Sequence, residues 1–159
     1  MKVPSFQVDH DKMVRGVYVS RQDKIGNEML TTFDVRMKLP NVEPVLGNAE
    51  IHTIEHLMAV YIREERPDWA GKLVYVGPMG CRTGMYLIVQ GDLTPQDILP
   101  LLKDVFAHMA AYDKQIPATT SKECGSYLDH NLAFARWESA KYLKEVLEVI
   151  TAEMMVYPQ

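Results

Sequence analysis

Apolar and polar positions alternate along two early segments. In Met29–Leu39 (MLTTFDVRMKL) the residues Phe33, Val35 and Met37 fall on one side, the period of a half-buried strand. Val14–Val19 reads as a shorter strand before it. Pro40, Pro44 and Gly47 then break the pattern and mark a loop. Beyond that loop the period changes. Ile51, Ile54, Leu57, Met58, Tyr61 and Ile62 recur at steps of three and four, the stripe of an amphipathic helix from about Ala49 to Arg66. Asn48 suits its N-cap, and Pro67 stops it. Two more strands, Lys72–Val76 and Met85–Gln90, flank the turn VGPMGCRTG. Thr94-Pro95-Gln96-Asp97 opens a second helix that runs to about Tyr112. A loop from Asp113 to His130 leads into a third helix, Leu132–Thr151, whose Phe134, Trp137, Leu143 and Val146 read as packing residues. The third and fourth strands are joined too closely for a helical crossover. The predicted class is therefore α+β: an antiparallel sheet with three main helices packed on it in a two-layer sandwich.

Composition narrows the function. The 159 residues suit one domain, residues 1–159, with a real core. A net charge of −4 speaks against a nucleic-acid partner, which would meet a basic face. No 18-residue apolar run predicts a membrane span, and the first residues lack the apolar stretch of a signal peptide. Two cysteines are too few for a disulfide scaffold, so a reducing cytoplasm is the expected compartment and both thiols are free for chemistry. The ten methionines read as core filler.

The chemistry concentrates on one helical turn. IHTIEH places His52 and His56 four apart on the shoulder of the apolar stripe, where two imidazoles can converge on one metal ion. Glu55 lies beside them, close enough to act on whatever the ion holds. A third ligand is needed. Cys124, in KECG, is a candidate because thiolates bind borderline-soft metals, and Gly125 lets backbone approach closely. Cys81 sits in the glycine-rich turn GPMGCRTG, a poor place for packing and a good one for reactivity. Arg82 beside it would favour the thiolate. His130 follows Cys124 by six residues, close enough in sequence to approach the site, but reads first as a loop cap. Two other readings of the motif stand beside this one. An inverted-motif zinc metallopeptidase would recruit a downstream glutamate and need neither cysteine. A structural metal site in a binding module would be closed by four protein ligands.

Taken in order, SFQVDH, FDVRMKLPN, HTIEH, GPMGCRTG and KECG cover nearly the whole chain and resemble S-ribosylhomocysteine lyase, the LuxS family of autoinducer-2 synthesis. The resemblance implies a cytoplasmic homodimer with an antiparallel sheet, its active sites near the subunit interface. It implies one divalent metal per subunit, iron natively with zinc or cobalt as substitutes, held by His52, His56 and Cys124. Glu55 and Cys81 match the family's acid/base residues. Ser5, His10 and Arg36 match residues of the substrate pocket, partly across the interface. The implied products are L-homocysteine and 4,5-dihydroxy-2,3-pentanedione, the precursor of autoinducer-2, reached by two carbonyl migrations and a β-elimination. The chain departs from the family in two places. Tyr75, Val76 and Gly77 stand where members carry Asp-x-Ser, and Gly16-Val17-Tyr18-Val19-Ser20 replaces Ala-Pro-Tyr-Val-Arg.

Overall fold

The computed structural model describes residues 6–158, so Ser5 lies outside the described residues. Four strands, β1 (Gly16–Ile25), β2 (Glu28–Arg36), β3 (Leu73–Pro78) and β4 (Gly84–Gln90), form one sheet in the order β1-β2-β4-β3. Every neighbouring pair is antiparallel. Helices α1 (Asn48–Glu65), α3 (Pro95–Ala111) and α4 (Leu132–Tyr142), with the short α2 (Pro67–Ala70), complete the α+β fold. β1 continues past Val19 because its last residues pair across a two-residue turn, Ile25 opposite Glu28. Gly26 supplies the positive φ of 63° that this turn takes at its first position.

Alternation along the strands builds two unlike faces. Val17, Phe33, Val35, Met85, Leu87 and Val89 enter the core with Ile54, Leu57, Met58 and Ile62 of α1 and Leu101, Leu102, Val105, Phe106 and Met109 of α3. The residues between them form the other face, where Tyr18, Asp34 and Tyr86 lie side by side in register. That face is polar yet closed. Asp34 and Arg36 are 1% and 3% exposed. The C-terminal segment covers part of it: the Tyr157 ring stacks on Tyr18 at 4.8 Å, and its hydroxyl donates to Asp34 Oδ2 at 2.7 Å. This close approach requires Gly16, since a Cβ there would lie 2.0 Å from the Met154 carbonyl oxygen.

Three local expectations shift. The cap of α1 is Gly47, not Asn48; the Glu50 carboxylate reaches back to accept the Gly47 amide. The last helix ends at Tyr142 and passes into one π-helical turn, Leu143–Leu147. Val146 and Leu147 are adjacent and both fully buried, and the extra residue per turn resets the helical phase so that both reach the core. Phe134 and Trp137 are 54% and 55% exposed, where packing was expected. The buried side of α4 is Ala135, Glu138, Ser139 and Tyr142, because Glu138 pairs there with Lys38. Trp137 lies outside that pair, with the ammonium groups of Lys38 and Lys141 5.8 and 5.3 Å from its ring.

Candidate metal centre and its flanking clefts

One turn of α1 and the loop between α3 and α4 build the site together. His52 Nδ1 bonds the Asp129 carbonyl at 2.8 Å, and His56 Nδ1 bonds the Pro117 carbonyl at 2.9 Å. A carbonyl only accepts, so Nδ1 is the donor in each ring and Nε2 is the atom left to face an ion. The two rings stand at 87° to each other with centroids 4.6 Å apart, so their lone pairs can meet at one point. Cys124 Sγ lies 3.4 Å from His52 Nε2. The candidate ligand atoms of His52, His56, Cys124 and His130 all fall within 4.8 Å of one another. Two oriented imidazoles and a thiol fit a borderline divalent ion. Among the described residues this cluster contains no carboxylate, and its one member that is not a histidine is Cys124.

His130 joins this cluster rather than serving only as a loop cap. Its ring stacks on His52, centroids 4.1 Å apart and planes 22° apart. The His130 ring therefore braces His52, and its Nε2 is buried without a hydrogen-bond partner, which makes it a fourth candidate donor in the cluster. Three of these groups around an ion would leave a coordination position open, and all four would close it. The Thr53 hydroxyl anchors the ring. It contacts His130 Nδ1 at 3.1 Å, donates to the Ala49 carbonyl at 2.9 Å and accepts the Asn131 amide at 3.0 Å. Burial, then the neighbouring His52 and His56, push His130 below the ordinary histidine pKa. The six-residue spacing after Cys124 was the only sequence signal for this placement.

Glu55 stands as expected beside the centre, its Oε2 3.7 Å from His56 Nε2. With His52 it lines a cleft of about 260 Å³ whose other wall is Tyr75 to Pro78 of β3. Cys81 lies elsewhere, in a cleft of about 180 Å³ that also contains His10 and Arg36. The two clefts share no lining residue, so one chain does not bring Glu55 and Cys81 into one cavity. Cys81 is exposed, its sulfur 3.0 Å from Thr83 Oγ1 and 3.8 Å from the Arg36 guanidinium. The cation facing this thiol is therefore Arg36. Arg82, the neighbour in sequence, adopts φ 58° and donates instead to the Leu46 carbonyl at 3.3 Å. His10 Nδ1 bonds the Val8 carbonyl at 2.9 Å.

The family profile of S-ribosylhomocysteinase (LuxS) matches residues 3–153. This chain belongs to the LuxS family. It is 52% identical to the S-ribosylhomocysteine lyase of Phocaeicola vulgatus over 156 residues, covering 98% of this chain and 96% of that protein. The S-ribosylhomocysteine lyases of Porphyromonas gingivalis strain W83 and Clostridium beijerinckii are 51% and 50% identical over 157 residues, each covering 99% of this chain and 98% of the relative. LuxS membership thus spans both the helix that bears the imidazoles and the loop that bears Cys124. Among the described residues, no helix is long and apolar enough to cross a membrane.

Proposed function

We propose that this chain is a metal-dependent carbon–sulfur lyase that cleaves S-ribosylhomocysteine to L-homocysteine and 4,5-dihydroxy-2,3-pentanedione, with residues 1–159 acting as one catalytic unit. The observation that carries the reading is the convergence of His52, His56 and Cys124 beside Glu55 in a LuxS-family chain. His52, His56 and Cys124 would hold one divalent ion, Fe2+ by family resemblance, with Zn2+ or Co2+ as substitutes. When bound, that ion supplies Lewis acidity toward sugar oxygens.

The residue types follow from the reaction. The thioether sulfur sits on ribose C5, so elimination needs an acidic proton on C4 and a carbonyl on C3. The aldehyde begins at C1, and the carbonyl must therefore move twice. Each move takes a proton from one carbon and returns one to its neighbour. Cys81 suits the first exchanges as a base held beside the Arg36 cation, and Glu55 suits the later ones. In the last step a base removes the C4 proton, the C5–S bond breaks, and homocysteine leaves as a thiolate that is then protonated. No organic redox cofactor is needed, because the oxidation is internal to the sugar.

The two separate clefts favour a homodimer. Each is smaller than the roughly 300–1,000 Å³ typical of ligand sites. A second copy presenting His10, Arg36 and Cys81 to the α1 cleft of the first would unite the two halves. Ser5 is placed with them by resemblance. The two free thiols suit a cytoplasmic enzyme.

The test is direct. Purified protein loaded anaerobically with Fe2+ should release free homocysteine thiol from S-ribosylhomocysteine. Cys124→Ala should lose the metal, whereas Cys81→Ala should keep it and lose turnover. Full activity in Cys81→Ala would refute the mechanism.

A further inference from the structure

The C-terminal segment reaches the Cys81 cleft through a chain of hydrogen bonds. Tyr157 lies beyond residues 3–153, the span that the family profile matches. Its ring is seated on Tyr18, and its hydroxyl donates to Asp34 Oδ2 at 2.7 Å. Ser20, one of the residues that depart from the family pattern, bonds the same hydroxyl. Asp34 in turn grips one side of the Arg36 fork, through Nε at 3.0 Å and through Nη2. Nη1 is left facing the other way. It donates to Thr83 Oγ1 at 2.7 Å and stands 3.8 Å from Cys81 Sγ. Thr83 Oγ1, occupied as an acceptor by Arg36, has its own proton to offer the sulfur 3.0 Å away.

Asp34 has two opposed effects on that sulfur. It aims the guanidinium at Cys81, and its negative charge cancels part of the positive field that favours a thiolate. A hydroxyl donated to Oδ2 eases the conflict. It draws charge toward the phenol and holds the carboxylate in the plane that the Arg36 fork requires. Burial, then the Asp34 charge, push the Tyr157 phenol above its ordinary pKa, so it stays a donor. Burial raises Tyr18, Tyr86 and Tyr142 as well, with Asp34 adding to it. The Tyr18 and Tyr142 hydroxyls donate to the Val14 and Gly16 carbonyls and do not serve the carboxylate. On the Cys81 side, Arg36 shares the cleft with His10 and Glu43. His10 bonds the Val8 carbonyl, and Glu43 is engaged by the Leu39 amide and Lys141. Tyr86 of β4 also feels the Cys81 charge.

We propose that Tyr157 is a positioning residue for the proton chemistry of Cys81: by donating to Asp34 it fixes the carboxylate that aims Arg36, and through Arg36 the Thr83 hydroxyl, at the sulfur. This deepens the lyase reading and rests on it for what Cys81 does to the sugar. The hydroxyl carries the effect; the ring only seats it.

Alkylation by iodoacetamide reads the sulfur without substrate. The Fe2+-loaded protein is treated anaerobically across a range of pH, and modification is followed on the Cys81 peptide by mass spectrometry. Tyr157→Phe keeps the stack on Tyr18. At neutral pH it should slow Cys81 alkylation about 3- to 10-fold, the weight of one charge contact at this separation across solvent. In alkali, where the thiol is ionised in both proteins, the two rates should converge. Tyr157→Ala should slow the reaction at least as much. With S-ribosylhomocysteine, kcat of Tyr157→Phe should fall on the acid limb and recover at higher pH, with metal content unchanged. The inference is overturned if Tyr157→Phe alkylates like wild type at every pH. It is also overturned if the variant is slower by one constant factor throughout, the result of a loosened C-terminal segment. Wild-type protein that releases no homocysteine overturns the lyase reading, and with it the role given to Cys81. Identical alkylation profiles beside intact wild-type turnover overturn the inference alone.

Discussion

Replacing Asp34 with asparagine keeps the shape of the side chain and removes the charge that the closed face of the sheet depends on. Asp34 Oδ1 accepts from Arg36 Nε at 3.0 Å, and Oδ2 accepts from Arg36 and from the Tyr157 hydroxyl. Burial alone would lower the Arg36 pKa; the adjacent carboxylate outweighs it and holds the group above its ordinary value. In an effective dielectric of about 20, attraction at this separation amounts to roughly 5 kcal/mol before desolvation. Removing one member of a buried pair costs about 3–5 kcal/mol, because the other charge is left unpaired. For a chain of this size each kcal/mol lowers Tm by about 2–4 °C, so Asp34→Asn should melt roughly 6–20 °C lower. Thermal and urea unfolding at fixed protein and metal concentration measure this. The double variant Asp34→Leu/Arg36→Met should recover most of the loss, since no charge remains buried. A loss under about 1 kcal/mol in the single variant, or a double variant no better than the single, would refute the account.

Other outcomes follow from the same geometry. His130→Ala removes the brace on His52 and should weaken metal affinity by about 10- to 100-fold, whereas His130→Phe keeps the stack and should retain most of it; competition with a chelator reads both. Lys38→Met leaves Glu138 buried without its partner and should cost about 3–5 kcal/mol in urea unfolding, with the double variant Lys38→Met/Glu138→Leu far milder. Burial raises the Glu43 pKa, but the Leu39 amide, Lys141 and Arg15 outweigh it and the folded-state value is lowered. Its stabilisation is thus complete above the reference value of 4.5 and lost as pH falls through the lower folded value. The Tm difference between wild type and Glu43→Gln should shrink to nothing on that acid limb.

Periodicity was enough to locate the strands and helices, because each buries one face against a single core. It located the imidazole pair for the same reason: residues four apart on a helix must share a side. Cys124 was nominated by its thiol and by family resemblance, but its 3.4 Å approach to His52 depends on how an irregular loop returns, which carries no period. His130 was undervalued on those grounds. Sequence adjacency points to Arg82 as the cation beside Cys81, whereas the approach of Arg36 from β2 is invisible in the sequence. The early end of the last helix was hidden because a π-turn preserves an apolar pattern while shifting its phase.

The loop between α3 and α4 does two jobs. It carries the thiol, and through the carbonyls of Pro117 and Asp129 it also decides where both imidazoles point. Any ion held there would depend on this loop twice over. A nick in the exposed stretch around Lys122 would disarm residues more than sixty positions upstream without touching them.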